Sequence, residues 1–79
     1  MSSASLVNPI VREVLTPREA DVAEQLLQGL SNRQIAERLG MTPRTVKAHL
    51  RMMFLRFQLG EDGRSGKRIR LARQLLGRA

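Results

Sequence analysis

The sequence predicts an all-α fold, a small four-helix bundle that contains a helix-turn-helix. Three observations predict it. Helix-start signals recur at Thr16-Pro17, Ser31 and Thr42-Pro43. Apolar residues after each start follow the 3.6-residue period of a helix. Glycines mark the breaks, at Gly29, Gly40, Gly60, Gly63 and Gly66. With 79 residues there is room for three or four helices and one small core.

Residues 1–14 read as an N-terminal arm or linker. Ser2, Ser3, Ser5 and Pro9 discourage helix there, although Ile10, Val11 and Val14 could pack on the body. Residues 15–79 form the domain. The first helix starts with Thr16 as cap, Pro17 in the first position and Glu19 closing a capping box. Ala20, Ala23, Leu26, Leu27 and Leu30 give its apolar face, and Gly29 ends it. The second helix repeats the pattern with Ser31 and Gln34, buries Ile35, Ala36 and Leu39, and stops at Gly40. The third runs from Pro43 to about Phe57. Its core stripe is Val46, Leu50, Met53, Phe54 and Phe57. A turn over 60–66 leads to a last helix over about 66–76, with Ile69, Ala72, Leu75 and Leu76 on one face and Leu71 widening it.

Composition narrows the function. Absence of Cys excludes a disulfide framework, a thiol nucleophile and the common zinc fingers. A single His excludes a multi-histidine metal site, and no cofactor is implied. His49 has no sequence-signalled Ser, Asp or Cys partner, so the chain reads as a binder, not an enzyme. No apolar run approaches a membrane span, and the N-terminus lacks the pattern of a secretory signal, which places the chain in the cytoplasm.

Net charge is +7 and is unevenly placed. Residues 1–40 carry four arginines against five acids, whereas residues 41–79 carry ten Lys/Arg against two acids. Such asymmetry points to a polyanionic partner, nucleic acid or an anionic membrane.

Two short helices joined through Leu39-Gly40-Met41 are the pattern of a helix-turn-helix. In that motif the second helix enters the DNA major groove. Arg44, Lys47, Ala48 and Arg51 share one face of that helix, away from its core stripe, with no acid among them. Leu55 extends the face, so contact should stop near Arg51. A basic face alone is ordinarily solvated surface. Combined with the short helix pair and the glycine turn, it points to duplex DNA. Arg and Lys can donate to guanine O6 and N7, and the Ala48 methyl suits a thymine methyl. Lys67 and Arg68 oppose the macrodipole at the start of the last helix, so a phosphate is expected near them. Thr42 joins the candidate backbone contacts. Phe54 and Phe57 read as core, not as stacking platforms for single strands. The segment Gly63-Arg64-Ser65-Gly66-Lys67 lacks the first glycine and the final Ser/Thr of a phosphate loop and reads as a turn.

Three stretches at characteristic spacing resemble the LuxR-type (GerE-type) helix-turn-helix domain of bacterial transcription factors. They are Leu15-Thr16-Pro17-Arg18-Glu19, Gly29-Leu30-Ser31-Asn32-Arg33-Gln34-Ile35-Ala36, and Thr45-Val46-Lys47 with His49. The resemblance covers about residues 15–76. It implies that Lys47, Ala48 and Arg51 face bases. It also implies that Asn32, Arg33, Arg44, Thr45 and His49 lie near phosphates or support the recognition helix. His49 alternatively reads as half-buried with one hydrogen bond. Dimerisation through the last helix is implied as well. With Ile69, Ala72 and Leu76 assigned to the core, Leu71 and Leu75 are left for a weak homodimer favoured on DNA. The implied partner is double-stranded DNA at the bacterial nucleoid, with RNA polymerase a further candidate and no membrane. After Leu59-Gly60 the chain departs from the family pattern, running Glu61, then Arg64-Ser65-Gly66-Lys67. The nearest rival is a sigma-factor region 4 module, which ordinarily ends soon after its recognition helix. A rival of another class is a basic helical protein-interaction module.

Overall fold

The computed structural model describes residues 5–59 and 66–77, all helix and connection with no strand among them. Five helices follow in order: α1 (Pro9–Arg12), α2 (Pro17–Leu27), α3 (Asn32–Leu39), α4 (Pro43–Arg56) and α5 (Lys67–Leu75). The four expected helices are α2 to α5, and α1 is an additional single turn. Most of the expected turn, residues 60–65, lies outside the described residues, as do residues 1–4, 78 and 79.

The helix starts form as the capping signals require. Thr16 Oγ1 accepts the Glu19 N–H at 3.1 Å while the Glu19 carboxylate accepts the Thr16 N–H at 3.0 Å. Ser31 and Gln34 make the same reciprocal pair at α3. Each box satisfies N–H groups that the helix cannot pair internally. Gly40 ends α3 with φ of +70°, and the Met41 N–H bonds back to the Ala36 carbonyl at 2.9 Å. That left-handed residue lets α4 begin three residues later, at Pro43.

The core lies between α2, α3, α4 and α5. Val22, Ala23, Ile35, Val46, Met53, Leu71 and Leu75 are fully or almost fully buried. Phe54 and Phe57 pack against its edge. Glu19 is also buried, and its carboxylate accepts from the Arg56 guanidinium as well as from the Thr16 N–H. The capping box is thereby tied to the end of α4 by an ion pair whose carboxylate is buried and whose guanidinium reaches solvent.

The described part of the expected arm is docked. Val7, not Ile10 or Val14, enters the core. It is buried, and half-buried Val11 packs against the core as expected, whereas Ile10 and Val14 are exposed. The Asn8 N–H donates to the Leu75 carbonyl at 2.7 Å, capping α5. Asn8 Oδ1 caps α1 through Ile10 and Val11. Glu24 on α2 holds the strap down. Its carboxylate accepts from the Ser5 hydroxyl, the Leu6 N–H at 2.9 Å, the Val7 N–H at 3.4 Å and Arg12 at 3.0 Å.

Burial alone would raise the Glu24 carboxyl, but the bonds from Ser5, Leu6, Val7 and Arg12 together hold it below its ordinary value of 4.5. A carboxyl depressed in the folded state stabilises above its unfolded value, and that contribution is lost as pH falls through the folded one. Glu24→Gln should therefore melt lower at neutral pH, by about 4–8 °C if about 1 kcal/mol is lost. The gap to the parent should close as pH drops below about 4.5. Calorimetry showing a gap unchanged in acid would contradict this role for the strap.

Helix α5 is rotated relative to expectation. Leu71 and Leu75, assigned to a dimer surface, are fully buried in the chain's own core, while Ile69 and Leu76, assigned to the core, are 67% and 41% exposed. The reason lies at the helix start. The Lys67 ammonium sits 5.2 Å over the Phe54 ring, and Arg68 bonds oxygens of the α2–α3 connection and of α3. Both side chains are thus turned inward. At 100° per residue Leu71 and Leu75 follow them on the same side, and Ile69, Arg73 and Leu76 face outward.

Candidate nucleic-acid interface

Helix α4 starts with Thr42, whose hydroxyl accepts the Thr45 N–H at 3.2 Å and lies 3.0 Å from the Thr45 hydroxyl. One O–H of this pair serves the internal bond, and the other remains able to donate outward. Pro43 occupies the first position and needs no N–H partner. The stripe Val46, Leu50 and Met53 is buried against the rest of the bundle. Its burial fixes the rotation of α4 and turns Arg44, Lys47, Ala48 and Arg51 to the exposed side. His49 is half-buried at the border, as its place between the two faces implies.

The exposed side of α4 opens on a concave groove of about 550 Å³. Its walls are Arg44, Lys47, Ala48 and Arg51 from α4, Asn32 from α3, and Lys67 and Arg68 from α5, over a floor of Leu50 and Phe54. Five of these nine residues are cations and none is an acid. A wall with no acid among the described residues, over an apolar floor, sums its positive field and favours a polyanion. Arg33 is exposed at the start of α3 beside Asn32. The first N–H groups of α3 and α4 add the positive ends of two helices to the same region.

The structure brings together Asn32, Arg44, Lys47, Ala48, Arg51, Lys67 and Arg68 of the expected contacts. Thr42 and Thr45 lie at the start of α4, and His49 is set back. Lys67 and Arg68, beside which a phosphate is expected, also have partners within the chain, the Phe54 ring face and two oxygens. Arg68 donates to the Leu30 carbonyl at 2.5 Å and to Asn32 Oδ1 at 2.7 Å. Desolvation lowers the Arg68 pKa from its ordinary value, which leaves a guanidinium charged at neutral pH. Sequence reasoning missed Phe54 as the groove floor, because its position in the apolar stripe signalled only core.

Residues 13–64 match the family described as bacterial regulatory proteins, luxR family. The chain is similar to the nitrate/nitrite response regulator protein NarP of Escherichia coli K12, 58% identical over 38 residues, 48% of this chain and 18% of that protein. It is similar to the nitrate/nitrite response regulator protein NarL of the same strain, 47% identical over 45 residues, 57% of this chain and 21% of that protein. It is also similar to the transcriptional regulatory protein UhpA of that strain, 34% identical over 58 residues, 73% of this chain and 30% of that protein. The matched segment thus spans less than a third of each of these relatives. No solved structure gives a significant match.

Proposed function

Because the chain belongs to the luxR family of bacterial regulatory proteins, we propose that it binds double-stranded DNA in a sequence-specific way, as a transcriptional regulator or the output domain of one. In this reading α4 lies in the major groove. Lys47, Ala48 and Arg51 meet base edges. Arg33, Asn32, Thr42, Arg44, Thr45 and Lys67 contact the phosphates around them, with His49 behind. What supports it is the groove beside α4, with five cations, no acid among its described lining residues, and an alanine in the middle of its α4 wall. The role is binding, without catalysis or a cofactor, in the bacterial cytoplasm at the nucleoid. RNA polymerase is a further candidate partner. The amphipathic α5 favours this reading over a sigma-factor region 4 module.

Pairing of two copies on DNA, if mediated by α5, uses its outward face, Ile69 and Leu76, since Leu71 and Leu75 are buried. One nine-residue helix against its symmetry mate buries less than the roughly 1,200 Å² of a stable interface. Two chains of net charge +7 also repel until DNA neutralises them. The chain should therefore be monomeric at micromolar concentration and cooperative on half-sites about 10 bp apart.

The test is binding of the chain to mixed-sequence duplex DNA and, in parallel, to anionic phospholipid vesicles. Retention by DNA with little retention by vesicles is expected. Equal retention by both would favour a general basic interaction module instead. No helix among the described residues is long and apolar enough to cross a membrane.

A further inference from the structure

Arg68 does more than add charge to the groove. Its guanidinium carries only donors, so whatever faces it must accept. Leu30 offers a backbone carbonyl in the connection between α2 and α3, and Asn32 offers Oδ1 in the first turn of α3. The two bonds, at 2.5 and 2.7 Å, hold three elements together: α5, the α2–α3 connection and the start of α3. The bond to Asn32 also has a chemical consequence. A side-chain amide presents oxygen on one side and NH₂ on the other, and which way it points is ordinarily ambiguous. A guanidinium neighbour removes the ambiguity. Oxygen must face Arg68, and the NH₂ must point away from it. No protein acceptor takes that NH₂ among the described residues, and Asn32 lines the groove.

We infer that Arg68 is a positioning residue that locks the Asn32 amide with its N–H donors directed into the groove, ready for a phosphate oxygen. Without the lock the amide rotates, and in half of its orientations it presents oxygen to an anion. Lys67 supports the arrangement by anchoring the same helix end on Phe54. The start of α5 thus contributes to recognition through a residue on α3. This inference rests on the DNA reading above.

The test is a double-mutant cycle on a mixed-sequence duplex, read by equilibrium binding, with thermal melting of the same four proteins. Arg68→Lys keeps the charge but cannot offer the two-pronged fork that reaches Leu30 and Asn32 together. In the parent background it should weaken DNA binding about three- to tenfold. In an Asn32→Ala background, already weakened about tenfold, it should weaken binding less than twofold, the remainder that the lost Leu30 bond leaves. Loss of the bond to Leu30 is common to both backgrounds, so general loosening of the fold cancels in the cycle. Melting should fall on Arg68→Lys in both. Equal weakening by Arg68→Lys in both backgrounds would overturn the inference, because Arg68 would then act independently of Asn32. So would the absence of any weakening in the parent background. If the parent protein itself fails to bind duplex DNA, the DNA reading falls and this role with it.

Discussion

Leu75→Glu should leave the chain without a cooperative melting transition at room temperature, with most of its helical circular dichroism gone. Leu75 is fully buried, and its carbonyl accepts the Asn8 N–H of the N-terminal strap. Removing a buried leucine side chain costs about 2–5 kcal/mol. Placing a carboxylate in the space adds several kcal/mol more, since no basic side chain bonds there among the described residues. A domain of this size seldom holds more than about 3–5 kcal/mol in all. The loss therefore exceeds the stability available. Ile69→Glu is the matched control on the other side of α5. It is 67% exposed and should stay folded with nearly parental melting. Far-ultraviolet circular dichroism with thermal melts of both variants decides the matter. A folded Leu75→Glu beside an unfolded Ile69→Glu would mean that α5 is rotated the other way.

Affinity for duplex DNA should fall about a thousandfold as salt rises fourfold in the physiological range. Arg33, Arg44, Lys47, Arg51, Lys67 and Arg68 all lie on or beside the groove. These six cations together displace about as many counterions from the duplex, which gives a slope of log K against log salt of roughly −5. Arg68 stays charged while bonded to Leu30 and Asn32, so it contributes to the slope even without touching a phosphate. A filter-binding titration measures it. A slope near zero would mean that the groove does not meet the DNA backbone.

Most of the fold was legible because the capping signals are local and strong. Thr16, Ser31 and Thr42 each accept the predicted N–H, and α3 stops at Gly40 as its position required. The face of α4 was legible because its apolar stripe allows a single rotation. Helix α5 carries two apolar tracks, Ile69 with Leu76 and Leu71 with Leu75, and periodicity cannot choose between them. The choice is made by Lys67 and Arg68, whose partners Phe54, Leu30 and Asn32 lie far away in sequence. The docked strap was hidden for a similar reason. Val7 precedes any periodic pattern, and its position depends on Glu24 and Leu75. The Glu19–Arg56 ion pair spans 37 residues, and the capping box already accounted for the glutamate. Val22, fully buried, fell outside the stripe chosen for the first helix because α2 packs on more than one neighbour.

That Lys47, Ala48 and Arg51 read base edges is tested most directly by selecting sites from a random duplex library. The parent, Arg51→Ala and Arg44→Ala proteins would be compared side by side. The parent should enrich a defined motif. Arg51→Ala should lose preference at one or two positions of it and bind the parent site about 1–3 kcal/mol more weakly. Arg44→Ala should enrich the same motif with uniformly lower affinity. An identical motif from Arg51→Ala, or no motif from the parent, would contradict the assignment of this face to base recognition.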